Sequence, residues 1–308
     1  MDTSQVRRTQ VEHSGENIRL YYLPGSGLSP MPSVTTVKSL RVDPEKDDAL
    51  QGWRDRYDGQ SGWARPWYKD QKIYKGYRGT LIHFAILDAI ADASGDTYFH
   101  EVGDTDWGYE EYDAEYCLKK WSKKAPSANT DEVPYTPRDN QYDGEHAWDK
   151  AVREMKWAAR AFNEEIIQTG HLDPANVEAV EQFLFDTEYG YGGQFDLLYE
   201  DADGDTVLAD LKTSSAVRFD HKLQAAAYKH AIESDGDVVV DRCEVIRLYP
   251  DDEVVEISSS DEWDRSLRGL EHQFLGLCDE ARVEYQSTIQ EAVESGEIDM
   301  EESTEVDA

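Results

Sequence analysis

Between Thr80 and Ala93, apolar residues fall at Leu81, Ile82, Phe84, Ala85, Ile86, Leu87, Ile90 and Ala91. They occupy nearly the whole circumference of a helix, which predicts a helix buried on most of its faces. A second long helix is predicted over "EHAWDKAVREMKWAARAFNEEIIQTG", closed by Gly170 and the stop signal from His171 to Pro174. The period then changes. In "VEAVEQFLFDTEYGYGGQFDLLYEDADGDTVLADLKT" three strand-like runs, about 178 to 186, 193 to 200 and 205 to 212, are joined by a Gly-rich turn and by "DADGD", and so predict an antiparallel meander. A helix from about Ala216 to Glu233 follows, then strands in "DVVVDRCEVIRLYP" and "EVVEIS", then a closing helix from about Glu262 to Gln290.

Elsewhere the pattern is weaker. Residues 1 to 33 read as an irregular amino-terminal arm, and the GSG in "LPGSGLSPMPS" is followed by proline, which argues against a phosphate loop. From Val34 to Asp58 the pattern gives a short helix, a Pro-marked loop and a second helix with Leu50 and Trp53 inward. These features define one domain over residues 34 to 290 with an insertion at about 94 to 170. Residues 291 to 308 carry eight acids and no base and are expected to be disordered.

Charge changes the picture of the surface. Among 308 residues, 65 Asp plus Glu against 31 Lys plus Arg leave a formal charge of -34, spread along the whole chain. Such an excess repels itself, but molar salt screens charges over about 3 Å, so the balance points to a salt-adapted protein, halophilic archaeal or viral. No apolar run reaches the length of a membrane span and the amino terminus has no apolar signal segment, so a cytoplasmic protein with no membrane association is expected. Cys117, Cys243 and Cys278 are scattered, and no iron-sulfur cluster or zinc site is expected from them.

Chemistry concentrates on the meander. Counting from Gly204, Asp196 stands eight residues before the turn and Asp210 six after it, within about one residue pair of each other across the ladder. Two carboxylates that close favour a cation between them, and oxygen ligation suits Mg²⁺ or Mn²⁺. Lys212 follows Asp210 by two, which puts both side chains on one strand face, and the Leu211 carbonyl could add another oxygen ligand. A lysine there can polarise water and offset charge in a phosphorane-like transition state. By itself D-x-K is a weak signal, and a surface salt bridge at a strand end is the better reading of it.

Its companions decide between the two. "RGTLIHFAI", "GGQFD", "LADLKT" and "KLQAAAYKHAI" occur in this order, and together they resemble the RecB-type branch of the PD-(D/E)XK nuclease superfamily over roughly residues 31 to 250. The resemblance implies an α/β (α+β) restriction-endonuclease-like core, a central mixed β-sheet flanked by helices. It also implies a metal-dependent DNA nuclease, expected to be an exonuclease, with a structure- or site-specific endonuclease or a non-catalytic DNA-binding protein as alternatives. By the same resemblance, Asp196 and Asp210 match the metal-binding acids, Lys212 the catalytic lysine, and His83 an added metal ligand. Glu181 corresponds to a further assisting acid, with Glu178 competing for the role. Gln224 and Tyr228, spaced i, i+4 on one helix face, are implied to position the lysine and the DNA backbone. DNA is the implied partner, with recombination or replication proteins beside it, and oligomeric state is left open.

Local charge supports a polyanion path. From Leu211 to Ile232, Lys212, Arg218, Lys222 and Lys229 face only Asp220. From Lys69 to Arg78, Lys69, Lys72, Lys75 and Arg78 interleave with Trp67, Tyr68, Tyr74 and Tyr77, a composition suited to stacked bases beside tracked phosphates. "KKWSKK" at 119 to 124 repeats the theme. "DADGDTVLADLK" fails as a calcium loop, because its glycine is misplaced and its twelfth residue is Lys212 where a Glu is needed. No Walker motif is present, which excludes a self-contained helicase-nuclease.

Overall fold

The computed structural model describes residues 6–41, 48, 51–52, 67–94, 147–234, 236 and 238–301. The expectations for Leu50 and Trp53, for most of the insertion, for "KKWSKK" and for the side chain of Lys72 lie outside the described residues.

Residues 7 to 22, expected to be irregular, form a hairpin. Strands β1 (Arg7–His13) and β2 (Glu16–Tyr22) pair antiparallel with His13 opposite Glu16. Ser14 and Gly15 close the turn, both with positive φ, as a two-residue hairpin turn matched to strand twist requires. The signal lay in Val11, Ile18, Leu20 and Tyr22, which alternate with polar neighbours and enter the core. A short strand, β3 (Met31–Pro32), adds to β2. Helix α1 (Val34–Ser39) follows, capped by Ser33, whose Oγ accepts from the Thr36 amide at 3.0 Å.

Two long helices come next, α2 (Trp67–Ser94) and α3 (Ala147–Phe162). The predicted run from 178 to 186 is not one strand. It divides at Glu181, which has a φ of 46°, into β4 (Val177–Val180) and β5 (Phe183–Asp186). The run from 193 to 200 divides likewise into β6 (Tyr191–Gln194) and β7 (Leu197–Glu200). β5 pairs with β6 as a separate ribbon, while β4 pairs with β7. The remaining elements are β8 (Thr206–Lys212), α4 (Phe219–Ser234), β9 (Arg242–Tyr249), β10 (Val254–Ser259) and α5 (Leu267–Glu294).

The central sheet has the order β10-β9-β8-β7-β4 and is mixed: β8 and β9 run parallel, and its other pairs are antiparallel. A parallel pair needs a crossover, which α4 supplies. Alternate residues of the strands feed two cores. Leu197, Tyr199, Val207, Ala209, Leu211 and Ile246 pack with α2 and α3, whereas Leu198, Leu208, Cys243 and Val245 pack with α4 and α5. Covering both faces explains why β8 buries its five middle residues, Asp210 among them. The architecture is the expected one, a central mixed sheet flanked by helices.

The carboxyl-terminal segment also differs from expectation. Ala292 and Ile298 are buried, and the Met300 carbonyl accepts from the Gly25 amide at 3.0 Å, so residues 291 to 301 pack on the fold despite their acidity. Their acids face outward while the small apolar positions face in. Among the described residues, no helix is long and apolar enough to cross a membrane.

Candidate active site

Asp196 immediately precedes β7. Leu197 pairs with Ala209, so extending that register by one residue sets Asp196 opposite Asp210, on one face of the sheet. Asp196 Oδ2 accepts a hydrogen bond from the Leu211 amide at 2.7 Å, which fixes the carboxylate across the strand ends. Asp210 is only 2 % exposed. Lys212 Nζ stands 2.5 Å from Asp210 Oδ2, an ion-pair distance, yet the angles are not those of a hydrogen bond and that oxygen is buried without one.

Two glycines allow the partners to approach. A Cβ on Gly79 of α2 would lie 3.0 Å from Thr213 Oγ1, so the missing side chain lets α2 close on the end of β8. One turn later on α2, His83 brings Nδ1 to 3.7 Å from Asp196 Oδ1. A Cβ on Gly193 would lie 2.5 Å from Tyr228 Cε1, too close for any side chain. Gly193 of "GGQFD" and Tyr228 of "KLQAAAYKHAI" are therefore two sides of one contact.

On α4, Gln224 and Tyr228 are joined: Gln224 Nε2 donates to Tyr228 Oη at 2.9 Å. Burial, with the nearby charge of Asp210, pushes the Tyr228 phenol well above its usual range, so it remains a neutral donor. Gln224 Oε1 in turn accepts from Lys38 Nζ at 2.5 Å, a partner on α1 that spacing along α4 could not reveal. His83, Asp196, Asp210, Lys212, Gln224 and Tyr228 all border one cavity of about 160 Å³. A larger groove of about 820 Å³, between residues 27–32 and α5, carries none of these side chains.

A model of the PD-(D/E)XK nuclease superfamily matches residues 52–299. The chain belongs to the PD-(D/E)XK nuclease superfamily. Membership makes it a nuclease, whose class of reaction is phosphodiester hydrolysis and whose substrate is a nucleic acid. Among curated proteins, no sequence matches. Of solved structures, one described as SSO0001 is similar at 10 % identity and TM-score 0.28, covering 67 % of this chain and 87 % of that one. A candidate exonuclease from Eubacterium rectale is similar at 11 % identity and TM-score 0.34, covering 78 % of this chain and 89 % of that one.

Nucleases of this superfamily generally use divalent metal ions, and the donors here suit one in kind. The buried Asp210 Oδ2 lacks a hydrogen bond, and Asp196 Oδ1 and His83 Nδ1 lie near each other on the same cavity. Among the described residues no three His, Cys, Asp or Glu are already gathered as a metal cluster. Asp210 is instead drawn to Lys212, and one oxygen of Asp196 to the Leu211 amide.

The other anticipated residues of the nuclease fall in different places. Glu181 marks the break between β4 and β5; its amide donates to the Asp196 carbonyl at 2.8 Å, and its side chain is not on the cavity wall. Glu178 is exposed on β4. Arg78, expected on a phosphate path, is a buried residue, with Nη1 2.9 Å from Glu154 Oε2 and 2.6 Å from Asp251 Oδ1. Its one-sided helical spacing with Lys69, Lys72 and Lys75 did not reveal that the next face is core. Lys75 pairs with Asp251 at 3.2 Å while remaining half exposed. Lys222 reaches Asp264 at 3.2 Å, and Arg218 is exposed at the start of α4.

Two further groups were invisible to sequence reasoning. His221 is partly buried, and its desolvation together with the charge of Lys212 brings its imidazole down to about 4. Its Nδ1 accepts from the Arg218 amide at 3.2 Å, as a neutral ring with the proton on Nε2 would. Arg8 and Arg19 of the amino-terminal hairpin also border the cavity.

Proposed function

We propose that this nuclease is a metal-dependent deoxyribonuclease of the RecB-type branch that degrades DNA from an end, in recombination, repair or replication. One observation carries the reading: His83 on α2, Asp196 just before β7, and Asp210 and Lys212 on β8 share a cavity with the Gln224–Tyr228 pair. Its acid pair, lysine and histidine are the donor types that phosphodiester hydrolysis with a divalent ion uses.

Asp196, Asp210 and His83 would hold Mg²⁺ or Mn²⁺, with the Leu211 carbonyl as a further oxygen. When bound, the ion supplies Lewis-acid charge at the phosphate and lowers the pKa of water. Asp196 is held in place by the Leu211 amide, which leaves its Oδ1 directed to the cavity side where His83 stands. Lys212, paired with Asp210, orients the attacking water and offsets the charge that grows on the phosphoryl oxygens. Water oxygen then bonds to phosphorus as the bridging P–O bond breaks; the proton that the water gives up passes to solvent, and solvent water returns one to the leaving oxygen. Glu181 assists through the backbone: its amide holds the Asp196 carbonyl. Tyr228 and Gln224 pack behind the acids and, with Lys38, brace that wall. Arg218 and Lys222 are outer cations for the strand, with Lys222 exchanging Asp264 for phosphate.

The test is cleavage of end-labelled linear DNA, single- and double-stranded, beside closed circular DNA of the same sequence, in high KCl with and without Mn²⁺. Metal-stimulated loss of the linear strands with an intact circle is expected. Cutting of the circle would make the protein an endonuclease, and no metal-stimulated cleavage of either would end the reading.

A further inference from the structure

In a chain with 65 acids and 31 bases, an arginine beside two aspartates is expected to find a carboxylate. Arg19 does not. Its backbone is engaged, with the amide donating to Thr36 Oγ1 at 3.0 Å and the carbonyl accepting from the Ser33 amide at 2.9 Å. Its guanidinium has no ion pair among the described residues, and Nε is buried without a hydrogen-bond partner. The acids nearest in the fold are already committed, Asp210 to Lys212 and Asp196 Oδ2 to the Leu211 amide. Burying part of a cation without a partner is unfavourable unless something anionic arrives to meet it.

Arg8 repeats the arrangement at the rim. It stands opposite Tyr21, two residues from Arg19 along β2, so strand alternation puts Arg8 and Arg19 on one face of the hairpin as diagonal neighbours. That face borders the cavity holding Asp196, Asp210 and Lys212. Arg8 is exposed and is likewise without an ion pair among the described residues. The arginines thus border the cavity, and their planar forks suit phosphate oxygens held in pairs.

We infer that the amino-terminal hairpin is a phosphate clamp: Arg19, with Arg8 outside it, binds a backbone phosphate that flanks the scissile bond. The inference rests on the nuclease acting on DNA, and it assigns the hairpin the task of setting which phosphodiester reaches the acid pair. Arg19 is a positioning residue in this scheme, with Lys212 left to the reacting phosphate.

The test is the salt dependence of binding. A cleavage-silenced Asp210→Asn full-length protein is titrated with a fluorescein-labelled DNA single strand over a series of KCl concentrations, alone and with Arg19→Gln, Arg19→Lys or Arg8→Gln added. One lost phosphate contact lowers the slope of log K against log salt by about 0.7 for single strands. That fall is expected for Arg19→Gln, together with binding weakened about tenfold, since a charge-assisted fork is lost. Arg19→Lys is expected to restore the slope and only part of the affinity. Arg8→Gln, at an exposed site where folding is not at stake, should lower the slope with a smaller loss of affinity. If the parent binds and neither Gln variant changes the slope, the clamp is overturned while the DNA reading stands. Weaker binding at an unchanged slope also overturns it, because that is the mark of a purely structural arginine. If the parent binds no DNA at any KCl concentration, the DNA reading fails and takes the clamp with it.

Discussion

Two clusters of charge lie at the carboxyl end of β8, and they are built to opposite ends. Around Arg78, one guanidinium nitrogen meets Glu154 from α3 and Asp251 from the β9–β10 turn, Lys150 comes to the other side of Glu154, and Lys75 to the other side of Asp251. Every carboxylate there has a cation and every cation a carboxylate. Around Asp210 the match is incomplete among the described residues: Asp210 Oδ2, though ion-paired with Lys212, has no hydrogen bond, and Arg19 on the hairpin has no acid. Both clusters are part-buried, so dielectric does not separate them. What separates them is closure. The ion pairs around Arg78 hold α2, α3 and the end of the sheet in register, whereas the cavity keeps the Asp210 carboxylate and the Arg19 guanidinium available to something from outside.

The strongest way to break that contrast is to truncate one residue on each side. Asp210→Ala or Lys212→Ala should lower cleavage by about 10³-fold or more, because an oxygen or charge used at the reacting phosphate is lost. Their urea midpoints should stay close to that of the parent, since the open cluster contributes little to holding elements together. Retained activity in either variant would remove those residues from the mechanism.

Arg78→Ala should do the reverse. Removing one partner of a buried ion pair typically costs about 3 kcal/mol or more, and here it leaves Glu154, at 3 % side-chain exposure, with Lys150 alone among the described residues. Urea unfolding would register the loss as a lower midpoint. A midpoint unchanged by the substitution would mean that the cluster is not the closed network described above.

Acid provides a smaller and finer probe. Burial pushes the Asp251 carboxyl up, but Arg78, Tyr249 and Lys75 outweigh it and bring it from 3.8 down to about 2. Because the folded value is the lower one, the unfolded chain binds the proton more tightly between them. The contribution is therefore complete above about pH 4 and is lost as pH falls through 2, an effect of about 1 to 2 kcal/mol after allowance for its partial exposure. Comparing the parent with Arg78→Ala across that window isolates it, as most of the acid dependence assigned to Asp251 should vanish with the arginine.

Sequence reasoning reached the central elements because their signals are local. The periodic apolar positions of α2, α3 and α4, the strand runs at 206 to 212 and 242 to 259, and the turn at Gly204 all express preferences that neighbours along the chain decide. The acid pair was legible for the same reason: a short turn fixes register, and register places Asp196 opposite Asp210. The i, i+2 and i, i+4 spacings of Asp210 with Lys212 and Gln224 with Tyr228 needed nothing more.

Other features are decided by contacts across long separations. Arg78 and Lys75 share a helical stretch and a composition, yet one is buried between two acids and the other is half exposed; only the packing of α2 on α3 and on the end of β9 distinguishes them. The break at Glu181 depends on β5 finding β6 while β4 finds β7, a choice between sheets that an unbroken apolar run does not express. Residues 291 to 301 seemed too acidic to fold, but α5 and the Gly25 amide receive them.

The sequence alone therefore determined the kinds of residue that meet at the carboxyl end of β8, through periods and spacings set by backbone geometry. The tertiary structure decided what closes over them. The hairpin that brings Arg8 and Arg19 to the cavity lies nearly two hundred residues before Asp210 along the chain. Folding back across that separation is directed by burial of Val11, Ile18, Leu20 and Tyr22 in a shared core, a collective effect that no local pattern encodes.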